Sequence, residues 1–573
     1  MNIVVLIGII ITVATGIPVY LQMRKHPRGL KILFFAEMWE RFSYYGMRGL
    51  LIFYLTQHFL FDDAAANAQY GAYTSLVYLL PLIGGVLADR YLGTRKAIVY
   101  GAVLLVLGHG LMAFEGSPAK QFLVHDGARY EVVTGDTPRV VVGGTAYNYA
   151  PKDGGLSIAG LPADAALPAT LAPGSYSTVE ERNPLFLSLF YLALSLIIMG
   201  VGFLKPNIST IVGQLYKVGD PRRDPGFTLY YYGINLGAFW AAILCGLLGE
   251  TVGWWAGFGL AGIGMLAGLV VFIRGKAALE GNGEPPEPAL LVQKVAGPLT
   301  REHLIYLGGL VGVLFVWLLV QRNEAVGVLL TAGSIVTLGY VGWYIATKCN
   351  ARARADMILA LILIAGAVVF FTLFEQAGSS MNLFADRNTQ LPDGFSAAQT
   401  QSFNAGFILL FAPVFAILWT WLARNNLDPH PLIKFGLGLV QVGAGFLILV
   451  GAAGFADSDY RMPLIFLALA YLLHTTGELC LSPVGLSEIT KLSVPALVST
   501  MMAIWFLSSS WAQYLGAFIA EYAASETLGG QVIDPRAALE TSLGVFNVIG
   551  WAGVASGLLF FLLHFIWRRR AVS

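Results

Sequence analysis

Residues 35–48 read Phe35-Ala36-Glu37-Met38-Trp39-Glu40-Arg41-Phe42-Ser43-Tyr44-Tyr45-Gly46-Met47-Arg48, inside an otherwise apolar run over 31–60. At ~3.6 residues per helical turn, Glu37, Glu40, Arg41, Tyr44, Tyr45 and Arg48 fall on one face. An ionisable group at bilayer depth costs at least ~2.5–3.5 kcal/mol. Such a stripe cannot face lipid, so this helix is expected to line an aqueous path inside a membrane bundle. The competing reading is a salt-bridge network that only holds helices together. It does not call for so many titratable groups where each is so costly.

The rest of the chain fits a bundle. Of 573 residues, 56% are hydrophobic and 12% charged, against roughly 25% charged in an ordinary soluble domain. That excludes a disordered chain and a water-soluble globule. With 35 basic and 34 acidic residues the net charge is +1, so no bulk field favours nucleic acid. Three scattered cysteines, Cys245, Cys349 and Cys480, give neither a disulfide framework nor a zinc cluster. Runs of about 20 mostly apolar residues predict fifteen spans, near 2–22, 31–60, 69–90, 97–115, 184–214, 226–250, 254–274, 303–321, 325–347, 356–384, 402–424, 432–455, 462–490, 496–522 and 543–567.

Lys and Arg collect in alternate gaps, among them Arg24 to Lys31, Arg90 to Lys96, Lys217 to Arg223, Lys348 to Arg354 and Arg568 to Arg570. By the excess of basic residues in short cytoplasmic loops, these gaps and the C-terminus are expected inside. The long gap 116–183 is then extracytoplasmic. Its runs Tyr130–Val133 and Arg139–Val142, separated by Thr134-Gly135-Asp136, carry a hairpin signal and predict a small β-rich insertion, with His125 as a surface residue. Segment 2–22 has its charges after the apolar run, the reverse of a signal peptide. It reads as an extra span with its N-terminus outside, the alternative being a start at Met23.

Further ionisable groups lie mid-span. Lys205 precedes Pro206, which removes a helical donor and predicts a broken backbone lining a cavity. Glu375 and Glu478 sit in apolar runs, Glu478 shortly before Pro483, and Gln401 and Asn404 open a span that carries Pro413. His109 and His474 read equally well as satisfied core residues, and Glu115 and Glu250 as interfacial ones. The expected cavity is bipolar, with Arg41, Arg48 and Lys205 from the first half of the chain and Glu375 and Glu478 from the second. A zwitterion complements it, and buried carboxylates balanced between desolvation and basic partners are natural proton carriers. The expectation is a proton-coupled transporter of a zwitterionic solute.

Four tracts carry a specific resemblance. Glu37-x-x-Glu40-Arg41-Phe42-x-Tyr44-Tyr45-Gly46, Phe227-Thr228-x-x-Tyr231-Tyr232-Gly233-Ile234-Asn235-Leu236-Gly237-Ala238-Phe239 and Gly477-Glu478-x-x-Leu481-Ser482-Pro483-Val484-Gly485-Leu486-Ser487 resemble motifs of the proton-dependent oligopeptide transporter family. Gly84-Gly85-x-Leu87-Ala88-Asp89-Arg90-x-x-Gly93-x-Arg95-Lys96 resembles the loop between helices 2 and 3 of the major facilitator superfamily.

The resemblance implies an all-α polytopic membrane protein of two six-helix halves with two extra helices between them. On that plan 23–274 is the first half, 275–355 a linker with two extra helices and 356–573 the second half; the extra N-terminal span 1–22 and the insertion 116–183 lie outside the family pattern. It implies an inner-membrane symporter of di- and tripeptides. Arg48 and Lys205 would take the peptide carboxylate, and Glu478 and Asn404 its amino terminus. Asn235, Tyr45, Tyr73 and Gln376 would position the backbone, while Tyr78, Trp505 and Ser482 would also contribute to substrate binding. Glu37, Glu40, Arg41, Lys205 and Glu375 would couple protons. Two positions depart from the family pattern, Phe371 where Trp is common and Ala405 where Pro is usual.

The alternatives are a proton-coupled carrier of another small organic or anionic solute, a channel, and a membrane enzyme. Glu478 argues against a simple anion, which needs no ammonium partner. No metal cluster or nucleophile–base pair is in register. The coupling ion is the proton, no cofactor is expected, and no obligate protein partner is evident beyond the bilayer.

Overall fold

The computed structural model describes residues 3–134, 138–152, 154–217 and 219–572; the expected Gly135-Asp136 turn and Asn2 lie outside them. Among the described residues, fifteen helices of 17 residues or more form, one for each apolar run. A segment in lipid must satisfy its backbone internally, so an apolar run of this length has little choice but helix. Thirteen are long and apolar enough to cross a membrane by length and composition alone. The two that fall short are Arg28–Phe53 and Val498–Tyr522. The first falls short because it carries the ionisable stripe. It is sheathed by protein, with Glu37, Glu40, Arg41 and Arg48 all buried, whereas Ile3–Met23 buries only Val4, Gly8 and Met23.

Arg28–Phe53, Asp63–Leu92, Thr94–Met112, Pro184–Gln214, Arg223–Thr251 and Trp254–Arg274 make the first half. Ala351–Arg387, Ala397–Arg424, Pro431–Gly451, Leu464–Leu492, Val498–Tyr522 and Pro535–Val572 make the second. The extra pair, Arg301–Val320 and Asn323–Lys348, reaches both. Trp317 Nε1 donates to the Ser188 carbonyl at 3.1 Å on the first half, and Trp511 Nε1 of the second donates to Ser334 Oγ at 2.7 Å. The N-terminal helix lies over the seam between halves, its Val4 clustered with Ala238, Ala405 and Leu409.

The helix breaks are not where the prolines suggest. Pro184–Gln214 runs unbroken through Pro206, and Leu464–Leu492 is continuous past position 483. Ser402–Arg424 likewise continues through Ala405 and Pro413. Neighbouring helices and the tight protein surroundings tolerate a proline within a span. The break falls instead at Glu375. There the expected single span 356–384 ends its α-helix at Phe374, makes a 3-10 turn over Glu375–Gly378, and resumes at Ser380 after an irregular Ser379 (φ −126°, ψ −102°).

The 116–183 insertion is a seven-stranded antiparallel sheet, in the order β6-β5-β4-β3-β2-β1-β7. Its strands are β1 Lys120–His125, β2 Ala128–Val133, β3 Arg139–Val142, β4 Thr145–Lys152, β5 Gly155–Ile158, β6 Thr170–Leu171 and β7 Ser177–Glu181. The expected hairpin pairs Val132 with Val140. Alternate residues Tyr130, Val132, Val140 and Val142 point into one small core.

Helix approach in the first half depends on missing side chains. A Cβ at Gly84 would lie 2.0 Å from the Gly202 carbonyl oxygen, a backbone atom that cannot step aside, whereas one at Gly85 meets only Pro206 at 3.5 Å. Overpacking costs typically ~1–3 kcal/mol, occasionally more. Gly84→Val is therefore expected to lower the melting temperature and the monodisperse yield in detergent sharply, while Gly85→Ala leaves both near wild type. Equal behaviour of the two variants would contradict this packing.

Candidate functional site

The stripe of Arg28–Phe53 divides into two ion clusters. Toward its start, Arg41 Nε lies 2.9 Å from Glu37 Oε1 and 2.7 Å from Glu40 Oε2, all three buried. Two turns on, Arg48 pairs with Glu375 of the second half, and its Nε donates to the Tyr70 hydroxyl at 2.5 Å. The aromatic faces of Tyr45 and Tyr70 each lie 5.9 Å from the guanidinium. The irregular turn at Glu375 gives this pair its geometry, because it ends the helix where the carboxylate must meet Arg48.

A cavity of about 170 Å³ opens between the halves at this pair. A site needs only ~10–15 Å³ on this scale to hold a water, so the cavity has room for a small polar solute. Tyr45, Arg48, Tyr78, Tyr231 and Asn235 line it from the first half, and Phe371, Glu375, Asn404, His474 and Glu478 from the second. Asn404 Nδ2 donates to Glu478 Oε2 at 3.3 Å and to Thr475 Oγ1 at 3.0 Å, fixing the carboxylate that faces Arg48 across the cavity. Asn235 spends its amide on the Tyr231 carbonyl one turn back, at 3.0 Å.

Not every expected residue reaches this cavity. Arg41, Glu37 and Glu40 form their own cluster outside its lining. Lys205 also lies outside, its Nζ 3.7 Å from the Tyr78 ring centroid, with no carboxylate at ion-pair distance among the described residues. Gln376 is fully buried and spent on packing, donating to the Gly516 and Thr372 carbonyls and accepting from Ser380 Oγ. Tyr73 is buried away from the lining. Trp505 packs onto Gly485, where a Cβ would come within 2.5 Å of the ring, and Ser482 lies outside too. The sequence reading missed Tyr231, Tyr70 and Tyr471. Tyr231 stood inside a quoted motif; Tyr70 offered only its i,i+3 relation to Tyr73. His474 is a core residue against Phe446 that also reaches the cavity.

Apart from the Arg48–Glu375 pair, the contacts that tie the halves among the described residues gather at one end. Near the 116–183 sheet, Arg387 Nη2 meets Asp63 Oδ1 at 2.8 Å and the Ser525 amide donates to Asp63 Oδ2 at 2.9 Å. Asn382 reaches the Gly49 carbonyl at 3.1 Å, Asn67 that of Ala520 at 3.2 Å, and Gln399 that of Ile243 at 3.0 Å. Glu250 accepts from the Ala398 amide at 3.1 Å. Among the described residues no hydrogen bond or ion pair joins the six-helix halves at the opposite end, where the basic loops gather. There Arg95 instead bonds Glu284 of the linker, and that bond holds the Glu284 carboxyl below the usual carboxylate range.

Two bundles closing at one end around a central polar cavity define a multi-pass transporter of the major facilitator type. The POT family model matches residues 95–533. The chain is 34% identical to an uncharacterized transporter, YclF, of Bacillus subtilis (strain 168), over 86% of this chain and 88% of that one. It is 32% identical to the peptide transporter YePEPT of Yersinia enterocolitica subsp. palearctica serotype O:3 (strain YE-P4), over 88% and 89%. It is 30% identical to a di-/tripeptide transporter of Lactococcus lactis subsp. lactis (strain IL1403), over 94% and 95%. A crystal structure of a peptide transporter POT in complex with sulfate superposes with a TM-score of 0.71 at 31% identity, over 95% of this chain and 96% of that one. The chain belongs to the POT family.

Removing one partner of a buried ion pair typically costs ~3–5 kcal/mol, because the other charge stays behind unpaired. Arg41→Leu strands two carboxylates, whereas Glu37→Gln leaves a neutral Arg41–Glu40 pair. Thermal unfolding in detergent is expected to show a much larger loss for Arg41→Leu. A smaller loss than for Glu37→Gln would mean that the cluster is not held by its charges.

Proposed function

We propose that the protein carries di- and tripeptides into the cytoplasm together with protons, by alternating access across the inner membrane. One observation carries the reading: the cavity between the halves bears a guanidinium, Arg48, on one wall and carboxylates, Glu375 and Glu478, on the other. A zwitterionic peptide matches that polarity. Its carboxylate pairs with Arg48 once Glu375 is protonated, with Lys205 as a second cation nearby. Its ammonium pairs with Glu478, oriented by Asn404. Tyr45 and Asn235 flank the backbone, and side chains project toward Tyr78 and Phe371. Gln376, Tyr73, Trp505 and Ser482 act by shaping the surrounding helices.

Protons do the work. One proton moving inward releases about 1.4 kcal/mol per pH unit and about 2.3 kcal/mol per 100 mV. The Arg41–Glu37–Glu40 cluster takes a proton in the outward-open state and returns it inside. The basic loops face the cytoplasm by their charge excess, so the sheet is extracytoplasmic and the conformation described, tied at the sheet end, is the inward-facing one.

Glu37→Gln or Arg41→Ala is expected to abolish uptake driven by a pH gradient in proteoliposomes while part of peptide counterflow survives. Full gradient-driven uptake by either variant overturns the coupling role. Glu478→Gln is expected to weaken binding of free-amine peptides at least tenfold more than binding of N-blocked ones, read by competition against a labelled dipeptide. Equal losses remove Glu478 from the amino-terminal site. Competition by an inorganic anion but by no peptide would favour the other-solute reading.

A further inference from the structure

The sheet is built into the first half. Its roots are tied to the chain that follows Arg28–Phe53: the Ala119 amide donates to the His58 carbonyl at 2.9 Å, and Arg182 donates to the Phe59 and Leu60 carbonyls at 2.7 Å. Its core, however, is completed by the second half. The loop after Val498–Tyr522 forms a short hairpin, Thr527–Leu528 against Gln531–Val532, and Leu528 and Ile533 are buried in the sheet cluster. Gly529 and Gly530 turn the hairpin at φ +62° and +79°. The Gly529 amide donates to Gln121 Oε1 at 2.5 Å, a side chain held in place by its own bond to Glu180 at 2.9 Å. The Tyr149 hydroxyl donates to the Leu528 carbonyl at 3.1 Å. An element anchored on one half thus grips the other, at the end where the halves are already tied.

We propose that the insertion is an intramolecular latch, a clasp of the 116–183 sheet on the 527–533 loop that must release before the cavity opens on the sheet side. The proposal rests on the alternating-access reading. Rocking apart at this end exposes Leu528 and Ile533 to water, so the clasp adds its own weight to the Arg387–Asp63 and Asn67–Ala520 ties and biases the protein toward the conformation closed here. The sheet is therefore part of the gating machinery, through the equilibrium between the two conformations, without touching the solute.

The test uses the full chain in intact cells and a membrane-impermeant maleimide. Ala242 lines the cavity from the first half, so Ala242→Cys reports access from the sheet side. Adding Leu528→Ser and Ile533→Ser is expected to speed labelling of that cysteine roughly ten- to hundredfold, the factor that follows from no longer burying one or two such side chains. An unchanged rate overturns the latch. If the double replacement fails to fold, Leu528→Ala alone is read in the same way, with a several-fold acceleration expected.

A second arm locks the clasp. A Cβ at Gly529 lies 3.3 Å from a Val132 methyl, so Val132→Cys with Gly529→Cys can be joined by oxidation. Peptide counterflow is expected to stop on oxidation and return on reduction, and full counterflow in the oxidised protein overturns the latch. The labelling arm follows which end is open and not what is carried. Absence of peptide transport by the wild type therefore sinks the proposed function and leaves the latch test standing.

Discussion

The Arg48–Glu375 ion pair is the interaction on which the rest of the site depends. It joins the halves at the cavity, and among the described residues neither charge has another ionic partner there. A pair of this kind is poor as a stabiliser, since desolvation consumes most of the attraction. Under the function proposed above it serves as a switch, because neutralising or replacing one member leaves the other seeking a partner. The 3-10 turn at Glu375–Gly378 presents the carboxylate, and the Tyr70 hydroxyl gives Arg48 a second, neutral partner.

The ties at the sheet end differ in kind from this pair. Asn382, Asn67 and Gln399 all donate side-chain amides to backbone carbonyls across the seam. Each is a neutral bond worth about 1 kcal/mol net, easily exchanged for water when the halves part. The charged Arg387–Asp63 contact and the sheet's grip on Leu528 and Ile533 add stronger terms. Contacts of this kind, several and individually weak, suit a joint that must part in the alternating-access cycle proposed above.

Much of the fold was legible because membrane residence leaves few choices. An apolar run of the right length must be helical, and all fifteen appear within a few residues of expectation at most ends. The exceptions are instructive. Proline at 206 predicted a break that neighbouring helices absorb, while the break over Glu375–Gly378 contains no proline and is followed only by Ser379-Ser380, too mild a signal to read in sequence. Of the charges expected around one cavity, Arg48, Glu375 and Glu478 line it, and so does Asn404, which the family resemblance had named. The same reasoning could not tell that Arg41 folds back on Glu37 and Glu40, because one helix face can serve two separate clusters along its length. Gln376 looked like a ligand-facing amide, yet its position one residue after Glu375 turns it to the opposite side, against Gly516. The grip of the sheet on a loop some 400 residues later was invisible for the ordinary reason that no local pattern encodes a distant partner.

Lys205 shows what a lone cation at membrane depth costs. Its ammonium stands on the Tyr78 ring with no carboxylate at ion-pair distance among the described residues. The residue is only half-buried, and a cation–π contact offsets about 0.5–2 kcal/mol according to how far the ammonium is desolvated, against the ~2.5–3.5 kcal/mol or more that an ionisable group costs at bilayer depth. Stability alone would favour a neutral side chain here, or an acid beside it. Functional sites are where such costs persist, since an arrangement that satisfied every charge internally would leave nothing for a ligand to bind. Arg48, Glu375 and Glu478 line the cavity itself, and Lys205 stands behind Tyr78 at its edge; on the function proposed above, an entering zwitterion completes their charges.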